Sequence, residues 1–195
     1  MNSRDRANNS HNSLFEIRSA TPRDLERMTE IITVSFHSHS AIFNWLEPLC
    51  HWTIYEDLRT RLQNTSKHYM CLVAIASPPQ IMNNDPKQIG EICGTVELAL
   101  RSHQTYQPQT PYLSNLAVHN TYRRQGVAQK LLKTCEQTAK TWGFSEIYLH
   151  VLENNHQARR LYAKVGYRLY LVDWNLWSWL FRQPRRLLLR KSLNN

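Results

Sequence analysis

The most constraining passage in this sequence lies near its middle. Tyr112–Val118, an apolar stretch of strand length, runs through the polar His119–Gln125 to Gly126. Then come Val127, Leu131, Leu132, Cys135, Ala139 and Trp142, an apolar stripe at helical spacing. Gly143 follows where a helix wants a left-handed terminating residue. A strand that turns through glycine into a helix forms an anion site, because the first helical N–H groups have no internal acceptor and the helix dipole adds positive charge. The turn reads Arg123-Arg124-Gln125-Gly126-Val127-Ala128. Gly126 lets the backbone approach a ligand, Ala128 keeps the next turn free of bulk, and the arginines add charge. The passage is neither a P-loop nor a dinucleotide fingerprint. Taken alone, it is equally a helix start with solvated arginines.

The flanking pattern predicts one α/β domain, a mixed sheet of about seven strands with helices on both faces. Strands are expected at Phe15–Ser19, Tyr69–Ala76, Ile89–Arg101, Tyr112–Val118, Glu146–Val151, Tyr167–Val172 and Arg186–Lys191. Thr21-Pro22-Arg23-Asp24 is a helix start, followed by Leu25, Met28, Ile31 and Ile32 at helical period. Further helices are expected over Thr53–Gln63 and Gln157–Lys164. Pro108–Pro111 is expected to break the chain before the Tyr112 strand, and Ser77–Gln88 reads as a turn-rich loop.

Charge and cysteine content narrow the function. Lys plus Arg number 24 against 15 Asp plus Glu, a net charge of +9, which suits an anionic partner. The basic residues are spread out and form no nucleic-acid module, so binding to DNA or RNA is the lesser reading. Cys50, Cys71, Cys93 and Cys135 include no C-x-x-C pair, so neither zinc nor a disulfide framework is expected. A reducing compartment follows, the cytoplasm by default or a plastid stroma for a plant or algal source. Residues 1–13 carry no apolar core and read as a disordered arm, with the domain over 14–195. No apolar run is long enough to span a membrane.

A second motif begins at Asn155 and reads Asn-His-Gln-Ala-Arg-Arg-Leu-Tyr-Ala-Lys-Val-Gly-Tyr to Tyr167. Asn155 and Tyr162 fall on one helical face, roughly 10 Å apart. Each alone reads as an N-cap and a half-buried core residue. Together, the two motifs resemble the GCN5-related N-acetyltransferase (GNAT) family. Arg123-x-x-Gly126-x-Ala128 matches its acyl-CoA signature, and Asn155 through Tyr167 matches its second. The resemblance is strong over Tyr112–Tyr167 and weaker outside it.

The resemblance implies acetyl-CoA as co-substrate, no metal, and a role for each matched residue. Leu116-Ala117-Val118 would carry a bulge that pairs with the pantetheine arm. Amides of Arg124, Gln125, Gly126, Val127 and Ala128, with Arg123 nearby, would hold the pyrophosphate. Asn155 would bond pantetheine, and Tyr162 would protonate the leaving thiolate.

The amine must also be neutral to attack. An α-amine near 8 is almost ready at neutral pH, whereas a lysine amine near 10.4 is not. Some protein N-terminal acetyltransferases of the family carry a general base at the place matched by His150. In one such group a tyrosine matching Tyr112 shares the water. Histidine, near 6.5, suits the task, although a lone strand histidine is equally a core or solvent residue. Glu91, Glu97 and Glu153 are weaker bases. The expected reaction is therefore acetylation of a protein N-terminal α-amine, a lysine ε-amine or both, by direct attack. The alternatives are a small-amine acetyltransferase, acting on a polyamine or antibiotic, and a CoA-binding module without turnover. The insertion Ala41–Trp52 and the Trp-rich loop from Asp173 to Pro184 are expected beside the acceptor.

Overall fold

The computed structural model describes residues 15–37, 47–63, 66–76, 90–102, 108–173 and 184–194. The 1–13 arm, residues 41–46 of the insertion, the 77–88 loop and residues 174–183 of the Trp-rich loop lie outside the described residues.

In chain order, β1 (Phe15–Ser19) leads through a 3-10 turn (Pro22–Asp24) into α1 (Leu25–His37), and α2 (Glu47–Gln63) follows. β2 (Tyr69–Ala76), β3 (Glu91–Arg101) and β4 (Thr110–Val118) come next, then α3 (Val127–Thr141), β5 (Glu146–Leu152) and α4 (His156–Lys164). β6 (Arg168–Asp173) and β7 (Arg186–Ser192) close the chain. The seven strands form one sheet in the order β1-β2-β3-β4-β5-β7-β6. Only β4 and β5 pair in parallel; the other neighbours are antiparallel. The expected mixed sheet is therefore present.

Helices cover both faces, and side-chain alternation along the strands sorts the core between them. Val127, Leu131, Leu132, Cys135 and Ala139 on α3 meet Val96, Leu98, Leu113, Ile147, Leu149 and Val151 from the sheet. On the other face Leu25, Met28, Ile31 and Ile32 of α1 and Leu58 of α2 meet Cys71, Val73 and Ala117. Burying each such leucine contributes roughly 2 kcal/mol. A smaller group on that second face, Tyr112, Tyr148 and Leu188, lies between β4, β5 and β7.

Several boundaries differ from the expected ones by a residue or two, and two differences involve proline. α2 begins at Glu47, six residues before Thr53, because Pro48 stands in the first turn, where its missing N–H would have had no acceptor. Pro111 lies inside β4 instead of ending the chain before it. It pairs with Leu100 of β3, and β5 begins to pair only at Tyr112, so no ladder bond to β5 is lost.

Candidate active site

The site is built where β4 and β5 part. They pair only at Tyr112–Tyr148 and Leu113–Leu149, although β4 continues to Val118 and β5 to Leu152. β5 stays in register with β7 over seven pairs, so β4 diverges from a strand anchored on its other side. A bulge sharpens the divergence. Glu97 pairs with Ser114 but Thr95 pairs with Ala117, which leaves one extra residue on β4. Asn115 absorbs it with φ of +52°, a left-handed conformation that asparagine tolerates better than most side chains. Beyond Leu113, β4 has no β5 partner, and its backbone edge faces a cleft.

That cleft, about 540 Å³, is lined by Leu116, Ala117, Val118, Arg123, Arg124, Gly126, Val127, Ala128, Asn155 and Tyr162, among others. These are the residues singled out as cofactor-binding, with one difference. Gln125 does not line the cleft; its side-chain amide donates to the Thr121 carbonyl at 2.9 Å. Ser35, Tyr122, Gln157, Arg160, Leu161 and Lys164 complete much of the wall. Gly126 has φ of +89°, and a Cβ added there would meet nothing within 4 Å, so it faces open space where a ligand can lie against the turn. Arg124 shares the left-handed conformation at φ +66°. Arg123 Nε donates to the Val118 carbonyl at 3.3 Å, tying the turn to the end of β4.

Gly94 on β3 lets this corner close, and sequence spacing gave no sign of it. An added Cβ would stand 3.0 Å from both the Ala117 carbonyl oxygen and Val127 Cγ1. The N-terminus of α3 can therefore press against the bulge. An unpaired strand edge, a helix N-terminus and a cationic rim suit an elongated ligand with amides in its arm and phosphates at its far end. The residues present thus fit a CoA thioester.

Asn155 caps α4, its Oδ1 accepting from Ala158 N–H at 3.0 Å. The capping oxygen is committed, so the NH₂ group is what Asn155 can offer a ligand. Tyr162 lies on the α3 and α4 side, 8% exposed. Burial first, then the neighbouring Tyr112, holds its phenol above the ordinary tyrosine value, so it stays protonated and able to donate.

On the opposite face, the Tyr112 hydroxyl and His150 Nδ1 are 2.8 Å apart. Tyr112 is buried, which raises its phenol, while the Arg186 and Arg101 charges act in the lowering direction. The Arg101 guanidinium carbon stands 4.9 Å from the Tyr112 ring centre. Asp173 Oδ2 stands 2.9 Å from His150 Nε2, close enough for an ion pair, although the two are not aligned as a hydrogen bond.

The three glutamates considered as weaker bases are all engaged elsewhere. Glu97, 1% exposed, accepts from Arg61 of α2 at 2.9 Å and from Ser114 at 3.3 Å. Glu91 accepts from Arg27 and, at 2.9 Å, from the Tyr122 hydroxyl. Glu153 is held by Arg185 at 2.6 and 2.8 Å. Among the described cysteines none is a ready nucleophile. Burial pushes the Cys71 thiol up to about 12 and Cys93 to about 11, and raises Cys135 as well.

A sheet splayed at a bulge, with a glycine turn feeding a helix N-terminus into the opening, defines an acyl-CoA-dependent transferase. The acetyltransferase (GNAT) family profile matches residues 39–167, and the chain belongs to that family as an acetyl-CoA-dependent N-acetyltransferase. It is 28% identical over 181 residues to GCN5-related N-acetyltransferase 10, chloroplastic, of Arabidopsis thaliana, covering 88% of this chain and 68% of that protein. Four other chloroplastic GCN5-related relatives are matched over only 20–37% of their length. Among solved structures it superposes on the PaiA N-acetyltransferase of Thermoplasma acidophilum in complex with coenzyme A. The TM-score there is 0.68 at 18% identity, covering 91% of this chain and 98% of that one. The ribosomal-protein-S18-alanine N-acetyltransferase of Escherichia coli gives 0.61 at 16% identity, over 93% and 95%. At such identities the likeness is one of fold. No described helix is long and apolar enough to cross a membrane.

Proposed function

We propose that this chain acetylates a protein N-terminal α-amine by direct attack on the thioester, with lysine ε-amines as slower acceptors. The reading rests on one observation, the Tyr112 hydroxyl held 2.8 Å from His150 Nδ1 beside the splay. Bound acetyl-CoA supplies the activated acyl group, and the chain does the rest. Val127 and Ala128 amides, the Gly126 turn and the arginine rim hold the phosphates, while the β4 edge from Leu116 to Val118 aligns the arm. His150, through Tyr112, takes the ammonium proton of the acceptor. The amine nitrogen then bonds to the acyl carbon as the C–S bond breaks, and Tyr162 gives its proton to the departing thiolate. Of the two protons then on the nitrogen, one passes to the Tyr162 phenolate and the other stays as the amide N–H.

Electrostatics supports the α-amine. Arg101 and Arg186 beside Tyr112 disfavour a further cation there and favour a neutral amine, and an amine near 8 starts closer to that form than one near 10.4. Direct attack is supported by the raised thiols of Cys71 and Cys93, which leave no ready thiolate for an acyl-enzyme. We take 14–195 as the catalytic domain, with 1–13 as an appended arm. Free Cys71, Cys93 and Cys135 and the chloroplastic relatives support a reducing compartment, cytoplasm or plastid stroma.

The test uses mass spectrometry of two peptide pools incubated with the protein and acetyl-CoA. One pool has free N-termini and no lysine; the other has blocked N-termini and internal lysines. Faster modification of the first pool is expected. Modification of the second alone would overturn the α-amine reading. Silence in both, with acetyl-CoA still bound, would leave a small-amine enzyme or a CoA-binding module.

A further inference from the structure

The acceptor face holds a third polar group in line with Tyr112 and His150. Asp173 ends β6, on the far side of β7 from His150, and its Oδ2 reaches to 2.9 Å from Nε2. Tyr112, on β4, contacts the other ring nitrogen. The two contacts divide the ring's tasks. A neutral imidazole carries one N–H and one lone pair, and the nitrogen beside a carboxylate is the one that keeps the proton. That leaves the Nδ1 lone pair facing the Tyr112 hydroxyl. The Asp173 side chain is 35% exposed and that of His150 17% exposed, so the contact is partly screened but not dissolved by water.

We propose that Asp173 is a positioning residue: its carboxylate, at ion-pair distance from Nε2 though not aligned as a hydrogen bond, favours the Nε2–H tautomer with Nδ1 facing Tyr112 and steadies the imidazolium formed when the acceptor's proton arrives. The proposal rests on His150 as the base. The proton leaves the acceptor ammonium for the Tyr112 oxygen while the Tyr112 proton passes to Nδ1, and Asp173 itself takes no proton. Among the described residues, the charged and titratable groups around this relay include Asp173 on β6, Tyr112 on β4, Tyr162 on α4, Arg101 on β3 and Arg186 on β7. The two arginines oppose a positive ring, and Asp173 is the group that offsets them.

The experiment compares wild type with Asp173→Asn, Asp173→Glu and His150→Gln. It measures kcat/KM for a lysine-free peptide from pH 5.5 to 9 and ¹⁵N shifts of labelled histidine. In Asp173→Asn the acidic limb should move to lower pH, its plateau should fall about tenfold, and the Nε2–H signature of His150 should fade. Asp173→Glu should restore most of the rate, which a loss of folding at this position would not allow. If His150→Gln keeps the acidic limb of wild type, the base assignment fails and this proposal fails with it. If His150→Gln abolishes that limb while Asp173→Asn leaves limb and tautomer unchanged, Asp173 alone loses its role.

Discussion

The two faces of the sheet use opposite means. On the α3 and α4 side, the strand edge and turn of the cleft come from one stretch of chain, Leu116 to Ala128, with residues of α4 completing the wall. On the α1 and α2 side, the polar groups Tyr112, His150 and Asp173 come from three strands and meet through side chains. A ligand of fixed chemistry can be held by backbone geometry, whereas an acceptor that varies between enzymes calls for exchangeable side chains. The halves should therefore fail separately when changed.

Tyr162 lines the cleft and is close enough to Tyr112 to feel it, so its loss should be the largest single effect. Tyr162→Phe should lower kcat by about 10³-fold, with acetyl-CoA affinity by calorimetry changed less than about threefold. An unchanged kcat would remove Tyr162 as the acid and leave the thiolate to depart unaided. Next comes Asp24, which anchors the start of α1 on the acceptor side. Arg18, at 2.7 and 2.8 Å, together with the Thr21 N–H and hydroxyl, holds its carboxyl down to about 2. Asp24→Asn should cost about 2 kcal/mol in chemical denaturation at pH 7. Because the folded value lies below the unfolded one, this stabilisation is complete above pH about 4 and is lost as pH falls through about 2. A cost that stays the same at pH 2 and pH 7 would assign the loss to packing instead.

Smaller effects belong to the backbone of the cofactor half. Gly126→Ala has room for its methyl but must hold φ of +89°, so acetyl-CoA affinity should fall about tenfold while kcat at saturation stays within about twofold. A fall in kcat without a fall in affinity would show that the turn serves chemistry, not binding. Asn115→Ala should cost about 1 kcal/mol in thermal unfolding, and Asn115→Gly should recover it, because the bulge needs φ of +52°. Equal cost from both would assign Asn115 a side-chain role instead.

The same division explains what was readable beforehand. The cofactor half was legible because it is local: a strand, a turn, one glycine and a helix stripe lie within one short stretch, and the motif needs little tertiary context. Even there the bulge falls at Asn115, just before the expected Leu116–Val118, since register against β3 decides where the extra residue sits. The scarcity of glycine marks Gly94 as a backbone need, but its purpose was not legible, because it is set by Val127 and the Ala117 carbonyl across the sheet. Tyr112 and His150 were visible as a pair only through family likeness. Asp173 was not visible as a partner, since nothing local links the end of β6 to β5 when β7 lies between them. The start of α2 at Glu47 was missed for a different reason: a proline in the first turn reads as a breaker unless its position is known.

The most direct test of separate halves is His150→Ala, with acetyl-CoA affinity and kcat/KM for the lysine-free peptide measured on the same protein across pH. The affinity should stay within about twofold, and the rate should fall about 100-fold at pH 7. The deficit should shrink as rising pH neutralises the amine without help. A loss of acetyl-CoA affinity in step with the rate, or a deficit equal at all pH values, would contradict the division of labour between the two faces.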